Sequence, residues 1–148
     1  MQNQESKILV ENSQSTEEIS ERNRLNEISE KIIDCCITVH KIMGPGLLES
    51  IYEQCLMKEF EIRGIKARNQ VPVDLFYKGF ILDRQLRIDI LVEESVILEL
   101  KSCDKIIPVY EAQIISHLKL MDKRLGFLLN FNVKYMKEGI SRFVNNFH

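Results

Sequence analysis

Between Val71 and Ser102 the chain carries three runs with strand character, VPVDLFY (71–77), FILDRQLRIDILV (80–92) and VILELKS (96–102). They are separated only by Lys78-Gly79 and Glu93-Glu94-Ser95. Connections this short join antiparallel neighbours, because a parallel crossover needs about a dozen residues or more. The middle of the molecule is therefore expected to be a meander, and the remaining elements must cover it.

Those elements are legible on both sides. Leu25, Ile28, Ile32, Cys35, Cys36 and Val39 recur at helical spacing and predict a helix ending near Met43, where Gly44-Pro45-Gly46 stops it. A second helix is expected from about Leu47 to Arg63, with Leu48, Ile51, Cys55, Leu56 and Phe60 following its turns and Gly64 closing it. A third should follow Pro108 to about Met121, and LGFLLNF (125–131) reads as a strand buried on both faces. The stretch from Pro108 to the last strand is long enough for a parallel crossover. The order predicts an α/β protein with a mixed, four-stranded sheet flanked by helices; VKYMKEGISRFVNNFH, after residue 132, is assigned no element.

A length of 148 residues suits one domain with its own core, expected over residues 25–148. Residues 1–24 are polar and rich in Gln, Asn, Ser and Glu, and are expected to form a mobile tail or a loosely attached helix. That segment holds the whole acidic excess behind the net charge of −2, which argues against coating nucleic acid by bulk electrostatics. Cys35, Cys36, Cys55 and Cys103 show no CxxC spacing and no nearby His pair, so free thiols in a reducing cytoplasm are expected. Neither a signal-like run nor an apolar stretch of about 18 residues is present, so no membrane role is expected.

The charged residues inside the strands need a reason. With a three-residue turn at 93–95, Val92 pairs with Val96, and the register sets Asp89 across from Glu99 with side chains to the same side, about 5 Å apart at Cβ. On simple alternation Arg87, Asp89 and Leu91 share one face and Ile88, Ile90 and Val92 the other, while Glu99 and Lys101 share a face of the third run. Two carboxylates that close repel unless a positive charge lies between them. A hard divalent cation such as Mg²⁺ fits, with Lys101 beside it to orient water or stabilise a phosphate transition state. The same residues also fit a solvated sheet face with a surface salt bridge to Arg87.

Asp89 followed by Glu99-Leu100-Lys101 resembles the signature of the PD-(D/E)XK nuclease superfamily, with Ile88 where a proline is usual. GLLESIY (46–52) looks like the motif of the GxxExxY family within it, and the likeness runs from about Leu25 to Asn145 through VHKIMGPGLLESIYE, ILELKS and EAQIISHLKLM. The resemblance implies a restriction-endonuclease-like αβββαβ core in which Asp89 and Glu99 hold a metal, Mg²⁺ or Mn²⁺, and the Leu100 carbonyl adds a ligand. It further implies that Glu49 completes the metal or water site, that Lys101 serves catalysis, and that Gln113 sits beside the lysine. The implied activity is phosphodiester hydrolysis with DNA as the expected substrate. The alternative is a nuclease-fold adaptor or nucleic-acid-binding subunit that cleaves nothing and acts with a protein partner; a homodimer would let two sites meet two strands.

Read from the residues alone, several of these positions have simpler roles. Glu49 suits the first turn of a helix, where a negative charge is favourable, and Tyr52 suits packing with its hydroxyl bonded to a neighbour. Gln113 shares a helix face with Tyr110 and His117, where ordinary hydrogen bonding explains it, and His117 reads as structural. Lys119, Lys123, Arg124, Lys134, Lys137 and Arg142 could hold phosphates if folded onto one side, and are otherwise solvated surface charges. Phe76, Tyr77 and Phe80 read as core or hairpin pairs.

Overall fold

The protein was analysed as a computed structural model that describes residues 2–145, with side chains from residue 15 onward. Helix α1 (Gln2–Met43) and helix α2 (Glu49–Ile62) precede strands β1 (Ala67–Tyr77), β2 (Phe80–Val92) and β3 (Val96–Lys101). Helix α3 (Pro108–Met121), strand β4 (Leu125–Asn130), a 3₁₀ turn at Met136–Gly139 and strand β5 (Ile140–Val144) complete the order.

The sheet has five strands in the order β1-β2-β3-β4-β5, with β3 and β4 parallel and the other neighbours antiparallel. The expected four-stranded sheet is thus corrected by one. Only five residues long and with no more than half its side chains turned inward, β5 lacks the apolar run that marked β4, and it is held by pairing from Leu125↔Val144 to Leu129↔Ile140. The mixed α+β architecture is consistent with a restriction-endonuclease-like fold.

Both faces of the sheet are covered. On one, α1 and α2 bury Leu25, Ile32, Cys36, Tyr52, Leu56 and Phe60 against Ile90, Val92, Leu98, Phe127 and Leu129. On the other, α3 brings Leu118 to Val71, Ile88, Leu91 and Ile97. Charge has been removed from β4 altogether because it lies between these layers, and all six of its residues are buried.

Helix α1 continues upstream to Gln2, so most of the polar segment before Leu25 is one helix with the segment that packs. Gln, Glu and Lys sustain a helix without burial, and from Ser15 to Arg24 the side chains stay largely in solvent until Leu25 enters the core. Cys35 and Cys36 lie on the packed face of α1, and all four cysteines are free. Among the described residues no helix is long and apolar enough to cross a membrane.

The turn between α1 and α2 is clamped from inside. Gly44 and Gly46 adopt φ of +72° and +90°, a region open to glycine and strained for other residues. Buried Tyr52 stacks on Phe131 with ring centroids 4.5 Å apart, donates its hydroxyl to the Gly44 carbonyl and accepts the Leu47 N–H at 3.1 Å. Ser102, just past β3, donates to the Leu47 carbonyl. The Gly-x-x-Glu-x-x-Tyr spacing therefore fastens the start of α2 to the end of β3.

Beyond Ile88 the β1–β2 pair leaves the sheet as a two-stranded ribbon, since β3 pairs only with Ile90, Leu91 and Val92. Phe76↔Ile81 and Tyr77↔Phe80 are cross-strand pairs near its tip, and all four residues are exposed. The aromatic residues are hairpin pairs and not core.

Tyr52→Phe keeps the ring stack but strips the hydroxyl from Gly44 O and Leu47 N. It should cost about 1–2 kcal/mol in urea unfolding; an unchanged midpoint would show that the hydroxyl does not anchor the turn.

Candidate metal and active site

Asp89 sits where β2 and β3 part. The ladder runs Val92↔Val96, Leu91↔Ile97, Ile90↔Leu98 and then stops. At the next step the Leu100 N–H donates to Asp89 Oδ2 at 2.8 Å, so a carboxylate occupies the place of a ladder acceptor. The register is the one the three-residue turn requires, and it brings the Glu99 side chain within hydrogen-bonding reach of Asp89.

The simple alternation expected for β2 does not hold at this point. Ile90 belongs to the core under α1 and α2, whereas Ile88, two residues away, packs with Leu91 on the α3 side. Opposite, Val71 pairs with Ile88 and Asn69 with Ile90, while Gln70 between them takes a φ of +50°. Both strands therefore roll together about Gln70 and Asp89. A left-handed residue inside a strand marks such an irregularity and re-aims its neighbours. Asp89 consequently points into the gap at the sheet edge and not squarely onto one face.

That gap opens into a cleft of about 460 Å³ lined by Leu47, Leu48, Glu49, Ser50, Glu53, Gln70, Asp89, Leu100 and Ser102. Glu49 enters it from the first turn of α2. Glu53, one turn further on, accepts from the Gln70 amide at 2.6 Å and the Asn69 amide at 3.3 Å, tying α2 to the rolled segment of β1. A larger cleft between α2 and β1 is lined by Glu61, Glu93 and Glu94, but each is already engaged: Glu61 by Lys58, Glu93 by the Lys66 N–H and Glu94 by Arg68.

Glu99 and Lys101 lie on the α3 side of β3. Glu99 Oε1 accepts from His117 Nδ1 at 2.8 Å, with both side chains largely shielded from solvent. The Lys101 ammonium lies 4.3 Å from the centre of the Tyr110 ring. It forms no ion pair with Asp89 or Glu99. Gln113 is exposed, lies between Tyr110 and His117 on α3, and makes no side-chain hydrogen bond among the described residues.

Asp89 titrates far from its ordinary range. Burial pushes its pKa up to about 7, aided by the negative charges of Glu99 and Glu53 and by the shared hydrogen bond with Glu99; the Leu100 N–H pulls the other way. In the metal-free protein Asp89 therefore holds a proton near neutrality, and a cation must displace it.

Sequence reasoning placed His117 on the Tyr110–Gln113 face but gave it a structural role, and it assigned no part in the site to Glu53, one turn after Glu49. Gln70 and Ser102 carried no signal, because a left-handed residue within a strand and a loop hydroxyl are placed by tertiary contacts. The basic residues of the C-terminal third are dispersed: Lys123 bonds the Glu94 carbonyl at the β2–β3 turn, Arg142 bonds Asn26 of α1, and Lys134 and Lys137 border a separate cavity beside His40.

A family model for the PD-(D/E)XK nuclease superfamily matches residues 26–143, and these span the helix-borne Glu49, the Asp89–Glu99 pair and α3. The chain belongs to the PD-(D/E)XK nuclease superfamily. No curated protein matches it. A solved structure, the crystal structure of SSO0001, is similar at 19% identity and a TM-score of 0.44, over 64% of this chain and 47% of that one; this chain thus spans about half the length of that protein.

PD-(D/E)XK nucleases typically use divalent metals, and the oxygen donors at Asp89 and Glu99 suit a hard cation. Among the described residues no three acidic, imidazole or thiol groups are drawn together as a ready ligand set. Glu49 borders the cleft without joining the pair. Two carboxylates are nevertheless what Mg²⁺ commonly takes from protein, the remainder being water and phosphate oxygen.

Because Asp89 is raised in the folded state, its stability contribution is complete below about pH 4 and is lost as pH rises through 7. Asp89→Asn, which can still accept the Leu100 N–H and can donate to Glu99, should raise the melting temperature of metal-free protein at pH 8 by about 4 °C or more. At pH 4 the gain should vanish. An equal effect at both pH values would show that Asp89 is not under this strain.

Proposed function

We propose that this chain is a Mg²⁺-dependent nuclease of the GxxExxY family that hydrolyses phosphodiester bonds in DNA. The observation that carries the reading is the Asp89–Glu99 contact at the parting of β2 and β3, opening into a cleft bordered by Glu49. Mn²⁺, with the same preference for oxygen donors, is the expected substitute.

Asp89 and Glu99 would hold the ion, with the Leu100 carbonyl as a candidate third donor. A bound divalent cation supplies Lewis acidity toward a phosphate oxygen and lowers the pKa of a coordinated water. Lys101, two residues beyond Glu99 on the same face of β3, offers the positive charge that offsets negative charge developing on phosphate. Glu49 is placed to orient water within the cleft, and Gln113, on the α3 face between Tyr110 and His117, is assigned to positioning near Lys101. The site is a cytoplasmic one in this reading, and a homodimer or protein partner would supply the basic surface that the dispersed lysines do not.

A second reading, a nuclease-fold adaptor that binds nucleic acid with a partner and cleaves nothing, draws on one observation: Lys101 lies over the Tyr110 ring and forms no ion pair with either acid. The two readings separate on Mg²⁺ and Mn²⁺ titrations with single-stranded, double-stranded and branched DNA. The nuclease predicts metal-dependent cleavage that falls by about 10²-fold or more in Asp89→Ala and Lys101→Ala. Cleavage surviving both substitutions would reject the assigned site, and metal binding without cleavage of any substrate would favour the adaptor.

A further inference from the structure

Building on the metal reading above, we infer that His117 is a specificity-determining residue that selects Mg²⁺ over Ca²⁺ by fixing the Glu99 carboxylate so that it presents one oxygen to the ion. Glu99 Oε1 is engaged by His117 Nδ1 at 2.8 Å, and Asp89 Oδ2 by the Leu100 N–H at 2.8 Å. A carboxylate can only accept here, so the imidazole carries its hydrogen on Nδ1. Each acid thus has one oxygen held by an N–H donor, and the other, Glu99 Oε2 or Asp89 Oδ1, meets no N–H donor among the described residues.

The imidazole is well placed to enforce this. Side-chain exposures of 15% for His117 and 13% for Glu99 mean that water competes little for the bond. His117 adjoins Leu118, which is fully buried against Ile97, and Ile114 one turn earlier packs over Gly126 of β4. The donor therefore stands on a helix fixed by core contacts, not on a loop.

Ion chemistry converts this geometry into selectivity. Mg²⁺ is bound octahedrally at about 2.0–2.1 Å, usually through one or two carboxylates, and one oxygen from each acid satisfies it. Ca²⁺ takes about 6–8 oxygens at 2.3–2.6 Å and often draws on both oxygens of a carboxylate. Glu99 can chelate through both oxygens only by turning its carboxylate to face the ion symmetrically, which draws Oε1 off the line of the His117 N–H and weakens that bond. The cost falls on the larger ion. Ile114 and Leu118 already join α3 to the sheet, so the imidazole bond is available for this role.

The test is calorimetric titration of Mg²⁺ and Ca²⁺, without nucleic acid, into the full-length wild type, His117→Leu and His117→Asn, with melting in EDTA to check folding. His117→Leu should lose about tenfold in Mg²⁺ affinity while Ca²⁺ affinity holds or rises, so the preference for Mg²⁺ falls at least as far. His117→Asn, which restores an N–H near the position of Nδ1, should recover most of it. His117→Phe, which keeps the volume without a donor, replaces the leucine variant if that one melts early. A wild type that binds neither ion would overturn the metal reading itself. A wild type that binds, with the Mg²⁺ to Ca²⁺ preference unchanged in the donor-free variant or with equal loss for both ions, would overturn the role of His117 and leave the metal reading standing.

Discussion

Everything at the candidate site depends on two carboxylates, Asp89 and Glu99, being held in contact at the point where two strands separate. Burial, with the negative charge of Glu99 beside it, disfavours an ionised Asp89, which holds a proton to about pH 7. The fold sustains the contact because neither acid is free to leave. One is fixed by a backbone N–H of β3, the other by an imidazole from α3. Hydrophobic packing on both faces of the sheet supplies the energy that keeps such an unfavourable pair together, as is common where polar groups are gathered for chemistry.

The elements around the pair are coupled to it through few, specific contacts. Tyr52 secures the glycine turn after α1, Ser102 joins that turn to the end of β3, and Glu53 grips the rolled segment of β1 opposite Asp89. Together they make the cleft a meeting point of α2, β1, β2 and β3. Superfamily membership gives this arrangement a context in nuclease chemistry. It does not by itself choose between cleavage and binding, because function resides in the site and not in the fold.

Much of the architecture was legible in the sequence for identifiable reasons. Two-residue and three-residue turns fixed the meander and its register, Pro108 and Met121 bounded α3 as expected, and the apolar run at 125–131 exposed β4 as a central strand. The fifth strand escaped because ISRFV has neither strict alternation nor continuous burial, and it forms by pairing with β4. Within the site, the proximity of Asp89 and Glu99 followed from counting residues across a turn. The roll at Gln70 and Asp89 did not, since alternation assumes a regular strand and the left-handed Gln70 breaks it. The contact of Lys101 with the Tyr110 ring, between a strand and a helix, is one that no local pattern encodes.

The central claim is that the gap between β2 and β3 binds a divalent cation through these two acids. Anomalous diffraction from crystals of the wild-type protein soaked in Mn²⁺ addresses it without reference to activity. The account predicts one strong peak about 2.1–2.2 Å from an oxygen of Asp89 and an oxygen of Glu99, with the Leu100 N–H and His117 contacts retained. A peak elsewhere on the molecule, or Asp89 turned away from Glu99 with no ion between them, would contradict it.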